Sequence, residues 1–158
     1  KLRPQDACFV PEKRQELTTE GGLNVVAHKR RIKDAVARLQ GRGIQVALFI
    51  DPVREQIECD KDTGAHGIAI NTGSYCNVTG AKRARELRKI VAGTKLAQGL
   101  GLEVHGGHGL DYENVLPIAR IREIVELNIG HSIIARAVIV GMQQAVREMK
   151  TLLARARR

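Results

Sequence analysis

The sequence has no tryptophan, and two tyrosines and two phenylalanines are its only aromatic residues. Nucleobases are gripped largely by stacking on aromatic faces, so this shortage argues against a nucleic-acid-binding module built on base contacts. Cysteine is scarce as well. Cys8, Cys59 and Cys76 are odd in number, far apart and free of any Cys-x-x-Cys pair. That spacing excludes a zinc-ribbon pattern and argues against a disulfide framework. A reducing, cytoplasmic setting suits such thiols. No apolar run approaches the roughly 20 residues that a membrane helix needs. The opening Lys1-Leu2-Arg3-Pro4-Gln5-Asp6 has no apolar centre, so it does not read as a signal peptide. It also lacks an initiator Met, as expected of a chain that begins inside a longer protein.

What remains is the composition of an ordinary globular domain, 43% apolar and 27% charged over 158 residues. That length suits one domain with a real core, spanning residues 1–158. The net charge is +9, which suits a solvated basic surface or anionic partners such as phosphorylated small molecules. The basic tail Ala154-Arg155-Ala156-Arg157-Arg158 keeps a sequence-independent contact with nucleic acid as an alternative.

Short apolar runs alternate with longer helical patterns. Strands are expected at Ala7–Val10, Gln45–Ile50, Gly67–Asn71, Leu102–His105 and Ile124–Ile129. Between the first two, Ile32, Ala35, Val36 and Leu39 fall at helical spacing. A short helix is expected through Val53 to Asp62, after the break at Asp51-Pro52. The long pattern after Gly80 predicts a helix with Ala84, Leu87 and Val91 on one face. Asp111 is placed to cap a short helix. Ser132 to Arg136 reads as a short helical stretch, and Met142, Ala145, Val146, Met149, Leu152 and Leu153 form the apolar stripe of the last helix. Strand–helix alternation with apolar strands predicts a parallel sheet. Periodicity alone does not choose between a barrel and an open doubly wound sheet.

In either architecture ligands sit at the C-terminal ends of the strands. Gly106-Gly107-His108-Gly109 stands at one such end. Glycines let backbone N–H groups approach an anion, and a histidine titrates near neutrality. Gly130-His131 stands at the next end, just before a helical stretch whose free N–H groups favour anions. Asn71-Thr72-Gly73 ends the third strand and can face the same place. The first loop, Val10 to Leu23, is long for a strand–helix connection and suggests a substrate-covering segment. Within it Thr18 and Thr19 can bond a phosphate or hydroxyl, while Lys13 and Arg14 read as solvated charges. His28 and His66 lie away from strand ends and read as structural or surface groups.

These strand ends resemble the pyridoxine 5′-phosphate synthase family of the deoxyxylulose-dependent vitamin B6 pathway. The resemblance rests on VPEKRQELTTEGGL (Val10–Leu23), GIQVALFID (Gly43–Asp51), GHGL (Gly107–Leu110) and ELNIGHSIIARAV (Glu126–Val138), and runs in order over essentially all of the chain. It implies a (β/α)₈ TIM barrel, of which these strands are the fourth to eighth. It implies condensation of 1-deoxy-D-xylulose 5-phosphate with 3-amino-2-oxopropyl phosphate to pyridoxine 5′-phosphate, phosphate and water, with no metal or organic cofactor. By motif, His108 corresponds to the proton donor and Gly109 to its substrate-binding neighbour. Thr18 corresponds to a substrate-contacting threonine, and Gly130 and His131 to a phosphate-binding pair. A homo-oligomer in the cytoplasm is implied too.

Two departures accompany the resemblance. The family's early catalytic residues belong to strands that precede this chain. At the third strand the family usually reads Glu-Leu/Ile-His-Thr-Gly, whereas this chain has Ala69-Ile70-Asn71-Thr72-Gly73. A fragment inactive by itself, or a catalytically silent partial barrel kept for association, are the readings those departures allow.

Overall fold

Five strands, β1 (Asp6–Phe9), β2 (Gln45–Ile50), β3 (Gly67–Asn71), β4 (Glu103–Gly107) and β5 (Ile124–Asn128), form one sheet in chain order. Every pairing is parallel. The structure, a computed structural model, describes residues 4–11 and 21–157. Parallel neighbours need a crossover, and the crossover is right-handed in nearly all proteins. Because the strand order never reverses, successive crossovers stack their helices on the same face. A doubly wound sheet needs a reversal at its switch point, and none occurs among these strands. The fold is therefore an α/β sheet of the kind found in part of a TIM-like barrel.

Helices α1 (Val25–Gln40), α2 (Arg54–Thr63), α3 (Gly73–Cys76), α4 (Gly80–Gly99), α5 (Val115–Ala119), α6 (His131–Val140) and α7 (Met142–Ala156) complete the order. Local chemistry sets several of their ends. The Asn24 side chain accepts from the Ala27 N–H at 3.0 Å and caps α1. Gly64, at φ +81°, ends α2 in the left-handed conformation. The Asp111 carboxylate accepts from the N–H groups of Glu113 and Asn114, each at 2.8 Å, and organises the turn that leads into α5.

The two faces of the sheet carry different side chains. Val46, Leu48, Ile50, Ile68, Ile70, Val104 and Ile124 pack against Val36, Ile57, Ile90, Ile118 and Met149 in the core beneath the helices. Each fully buried aliphatic side chain contributes about 1.5–3 kcal/mol over leaving it in water. On the opposite face Ala47, Phe49, Ala69, His105, Glu126 and Asn128 line a concavity of about 400 Å³. The register sets Phe49 beside Ala69, Ala69 beside His105, and His105 beside Glu126. Mostly small and polar residues thus line the concave face, with Phe49 among them, and branched apolar residues fill the convex one. Among the described residues β1 and β5 each have one strand neighbour, so each leaves an edge open.

The buried face of α4 differs from expectation. Ile90, Gly93, Thr94 and Ala97 are its buried positions, Leu87 and Val91 are half-buried, and Ala84 is exposed. The first turns of α4 run beside α3, where Arg83 lies 5.6 Å from the Tyr75 ring centre. Its later turns are the ones with aliphatic cover. In α7 the expected stripe divides similarly. Ala145 and Met149 are buried and Leu152 and Leu153 half-buried, whereas Met142 and Val146 are 51% and 38% exposed.

Candidate functional site

The C-terminal end of β4 bends sharply. His108 has φ +83°, the only positive value at a non-glycine residue among those described, and Gly109 follows at φ +73°. A β-substituted residue in this region costs of order 1 kcal/mol or more, so surrounding contacts must hold it. They are present. The buried Thr72 hydroxyl lies 2.8 Å from the Gly107 carbonyl and 2.6 Å from the His108 carbonyl. The Thr72 N–H also donates to the Gly107 carbonyl at 2.8 Å. The Cys76 thiol lies 3.5 Å from the His108 carbonyl, and burial pushes its pKa up to about 11. A neutral thiol donates a weak hydrogen bond there and is a poor nucleophile.

The His108 ring is held from two sides. Phe49 meets it edge-on, with ring centres 6.2 Å apart. Gly73 lies against its other flank, where a β-carbon would come within 2.8 Å of the ring. Gly73 is fixed in turn, since its N–H donates to the Asn71 side-chain oxygen at 2.9 Å. The Asn71 amide donates to Asp51 at 2.8 Å, and the other Asp51 oxygen accepts from the Gly22 N–H at 3.3 Å. One chain of contacts therefore runs from the end of β2, through β3, to the imidazole beyond β4.

The second strand end joins this one. Gly130 precedes α6, whose first residue is His131. The Ser132 hydroxyl donates to the Leu110 carbonyl at 2.8 Å and ties the start of α6 to the loop after His108. His108, Gly109, Asn128, Gly130 and His131 share a cavity of about 310 Å³. Two imidazoles and the amino end of a ten-residue helix thus face one space. Such a space can hold an anion on N–H groups while an imidazole exchanges a proton with it.

Four of the site residues expected from the sequence, His108, Gly109, Gly130 and His131, are brought together there. Thr18 and Thr19, with the rest of 12–20, lie outside the described residues. Asn71, Thr72 and Gly73 do serve the site, as supports beneath His108. Phe49, Asp51, Cys76 and Asn128 escaped notice. Their roles depend on contacts across the sheet, which the family-like stretches containing Phe49, Asp51 and Asn128 do not reveal. His28 interrupts the helical backbone of α1, at φ −120° and ψ 18°, and lines a different cavity beside Phe9 and Leu23. His66 lies 3.6 Å from Glu103 near the N-terminal ends of the strands. Glu103 also pairs with His105 at 2.8 Å, and that hydrogen bond holds its carboxyl below the usual carboxylate range.

Comparison with known proteins bears on this geometry. The sequence profile of the family described as pyridoxal phosphate biosynthesis protein PdxJ matches residues 1–155. A pyridoxine 5′-phosphate synthase of Magnetococcus marinus is 55% identical over 155 residues, 98% of this chain and 64% of that protein. One of Idiomarina loihiensis is 51% identical, over 99% of this chain and 65% of its own length. One of Legionella pneumophila is 50% identical, over 99% and 63%. The chain thus spans a little under two thirds of these relatives.

Proposed function

Because this chain belongs to the PdxJ family of pyridoxal phosphate biosynthesis proteins, we propose that it carries strands four to eight of a (β/α)₈ barrel that makes pyridoxine 5′-phosphate. The substrates in this reading are 1-deoxy-D-xylulose 5-phosphate and 3-amino-2-oxopropyl phosphate. The amine condenses with a ketone to an imine and water, phosphate leaves, and an aldol-type closure with loss of water completes the ring. The observation that carries the reading is the single cavity shared by His108, Gly109, Gly130 and His131. A phosphate fits against the Gly130–His131 turn, where the first N–H groups of α6 have no helical acceptor. His108 is then the proton donor to an oxygen that leaves as water or phosphate. Gly109 lets backbone approach the substrate, and Thr18 contacts it from the first long loop. None of these steps calls on a metal or an organic cofactor.

The open edges of β1 and β5 support a second part of the proposal. Unpaired strand edges and an uncovered concave face leave a barrel mouth unfinished on one side. The 158-residue chain by itself therefore makes no pyridoxine 5′-phosphate, and activity requires the strand–helix units that close the barrel. Val138 and Ile139, 84% and 79% exposed on α6, support self-association into a homo-oligomer. No helix among the described residues is long and apolar enough to cross a membrane. A cytoplasmic enzyme is part of the proposal.

The test is His108→Ala in the barrel-complete protein, assayed with both phosphorylated substrates. Loss of an acid of this kind lowers kcat by about 10²–10⁴. Substrate binding, read by calorimetry, should change far less. A variant that turns over like the parent would take His108 out of the mechanism.

A further inference from the structure

At the rim opposite the candidate site, Arg120, Arg122, Arg155 and Arg157 surround a cavity of about 540 Å³, with Ala156 as its remaining lining residue. Two separate stretches of chain build it. Arg120 and Arg122 lie on the turn that enters β5 at its N-terminal end. Arg155 and Arg157 end α7, which runs back from the other rim. All four are exposed, and among the described residues no carboxylate lines the space. Among the described residues none of the four forms an ion pair, although Glu123 follows Arg122 in sequence. Arg157 is held in place. Its guanidinium donates to the backbone carbonyls of Arg122, at 3.4 Å, and Ile124. Those acceptors are neutral, so the position is fixed while the positive charge stays uncompensated.

Four like charges around one hollow repel one another, and such an arrangement is relieved when an anion enters. Arg155 has a local reason for its position, because a cation in the last turn complements the helix macrodipole. Arg120 stands likewise at the C-terminal end of the short α5, whereas Arg122 has no such place, and both flank Ile121, whose burial turns them outward. Guanidinium forks grip phosphate oxygens in pairs. The volume lies in the range of small-molecule sites. Among the described residues no aromatic ring lines the cavity, so a base would find nothing to stack on. We propose that this arginine hollow binds a small free oligophosphate, at a site separate from the proposed synthase cavity. The separation is about one strand length, ~16 Å for the five residues of β5.

Calorimetric titration of the protein with sodium triphosphate, in magnesium-free buffer at constant ionic strength, tests this. Triphosphate should bind more tightly than orthophosphate, because one phosphate group cannot reach several guanidinium forks. The double variant Arg120→Ala/Arg122→Ala should weaken triphosphate binding by about tenfold or more. Arg120→Lys/Arg122→Lys should recover less than half of the log affinity that the double alanine variant loses, since Lys has no fork. His131→Ala, which touches only the other cavity, should leave the affinity unchanged. Circular dichroism should show that each variant keeps its fold, as expected of exposed side chains. Four results would overturn the proposal: no binding by the parent, equal binding by the double variant, loss of binding in His131→Ala, or tighter binding of a 12-nucleotide single strand than of triphosphate.

Discussion

Asp60 gives the most demanding test of the packing. It lies on α2 one turn beyond Ile57, a spacing that places both on the inward face. Its relative exposure is 0%, and neither carboxylate oxygen has a hydrogen-bond partner among the described residues. Burial pushes its pKa up to about 8, against a weaker opposing pull from Lys61. The folded protein therefore binds this proton more tightly than the unfolded chain does. Stability contributed by the neutral carboxyl is complete below an unfolded pKa of about 4, and is lost as pH rises toward 8. The limiting slope is about 1.4 kcal/mol per pH unit, or roughly 3 kcal/mol between pH 5 and pH 7. Water entry on ionisation would reduce that, so a loss of about 1–3 kcal/mol is expected. Asp60→Asn keeps the shape and removes the titration. Urea unfolding followed by circular dichroism at pH 5, 6, 7 and 8 should show the two proteins diverging, with the variant gaining as pH rises. The lowered carboxyls of Glu103, Asp62 and Glu148 contribute stability that is lost as pH falls through the acid range, so they act below this window. Parallel pH profiles would refute the assignment of a buried, proton-holding Asp60.

Gly73→Ala in the barrel-complete protein places a methyl 2.8 Å from the His108 ring and 3.1 Å from the Asn71 oxygen, so the imidazole must shift. Turnover should fall by about tenfold or more with circular dichroism unchanged, and an unaltered kcat would show that the ring position is not set by Gly73. Tyr75→Phe removes a buried hydroxyl that donates to the Asn114 carbonyl at 2.7 Å. It should cost about 1–2 kcal/mol in urea unfolding, and an unmoved midpoint would mean that the bond contributes nothing net.

Much of the fold could be read from local pattern, and the exceptions share a cause. β2 and β3 begin and end where expected, because a mostly apolar run met a clear stop in each. β4 extends two residues further than its apolar run, to Gly107. Glycine looked like a terminator there, but Gly107 is paired on both sides, with Asn71 and with Asn128. A β-carbon at Gly107 would come within 2.7 Å of the Asn128 carbonyl, so close strand approach requires the glycine. α6 is ten residues long, twice the expected stretch, because Ile133 to Val140 carries no helical alternation to read. α3 had no local signal. Its first N–H is held by the Asn71 side chain, a contact that exists only once β3 is in place. The site followed the same rule. Histidines and glycines at strand ends were visible in sequence, whereas Phe49 and Asp51 reach His108 or its supports only across neighbouring strands.

The departures at Ala69 and Asn71 look different once the concave face is known. Both positions lie on the lining of the sheet, beside His105 and Gly107 respectively. Asn71 is 3% exposed, with its amide donating to Asp51 and its oxygen accepting from Gly73. A buried side chain satisfied at both ends is an integrated part of the packing, since an unpaired amide in such a place costs about 1–3 kcal/mol. Each of its two bonds also acts beyond Asn71. One fixes the carboxylate at the end of β2, and the other fixes the glycine against which the His108 ring rests. Ala69 leaves open space instead, and the ionisable group nearest to it in register is His105 on the next strand, paired downward with Glu103. The hydrogen bonds of Asn71 at the upper rim are therefore satisfied, while the charge on the concave wall sits lower, among His66, Glu103, His105 and Glu126.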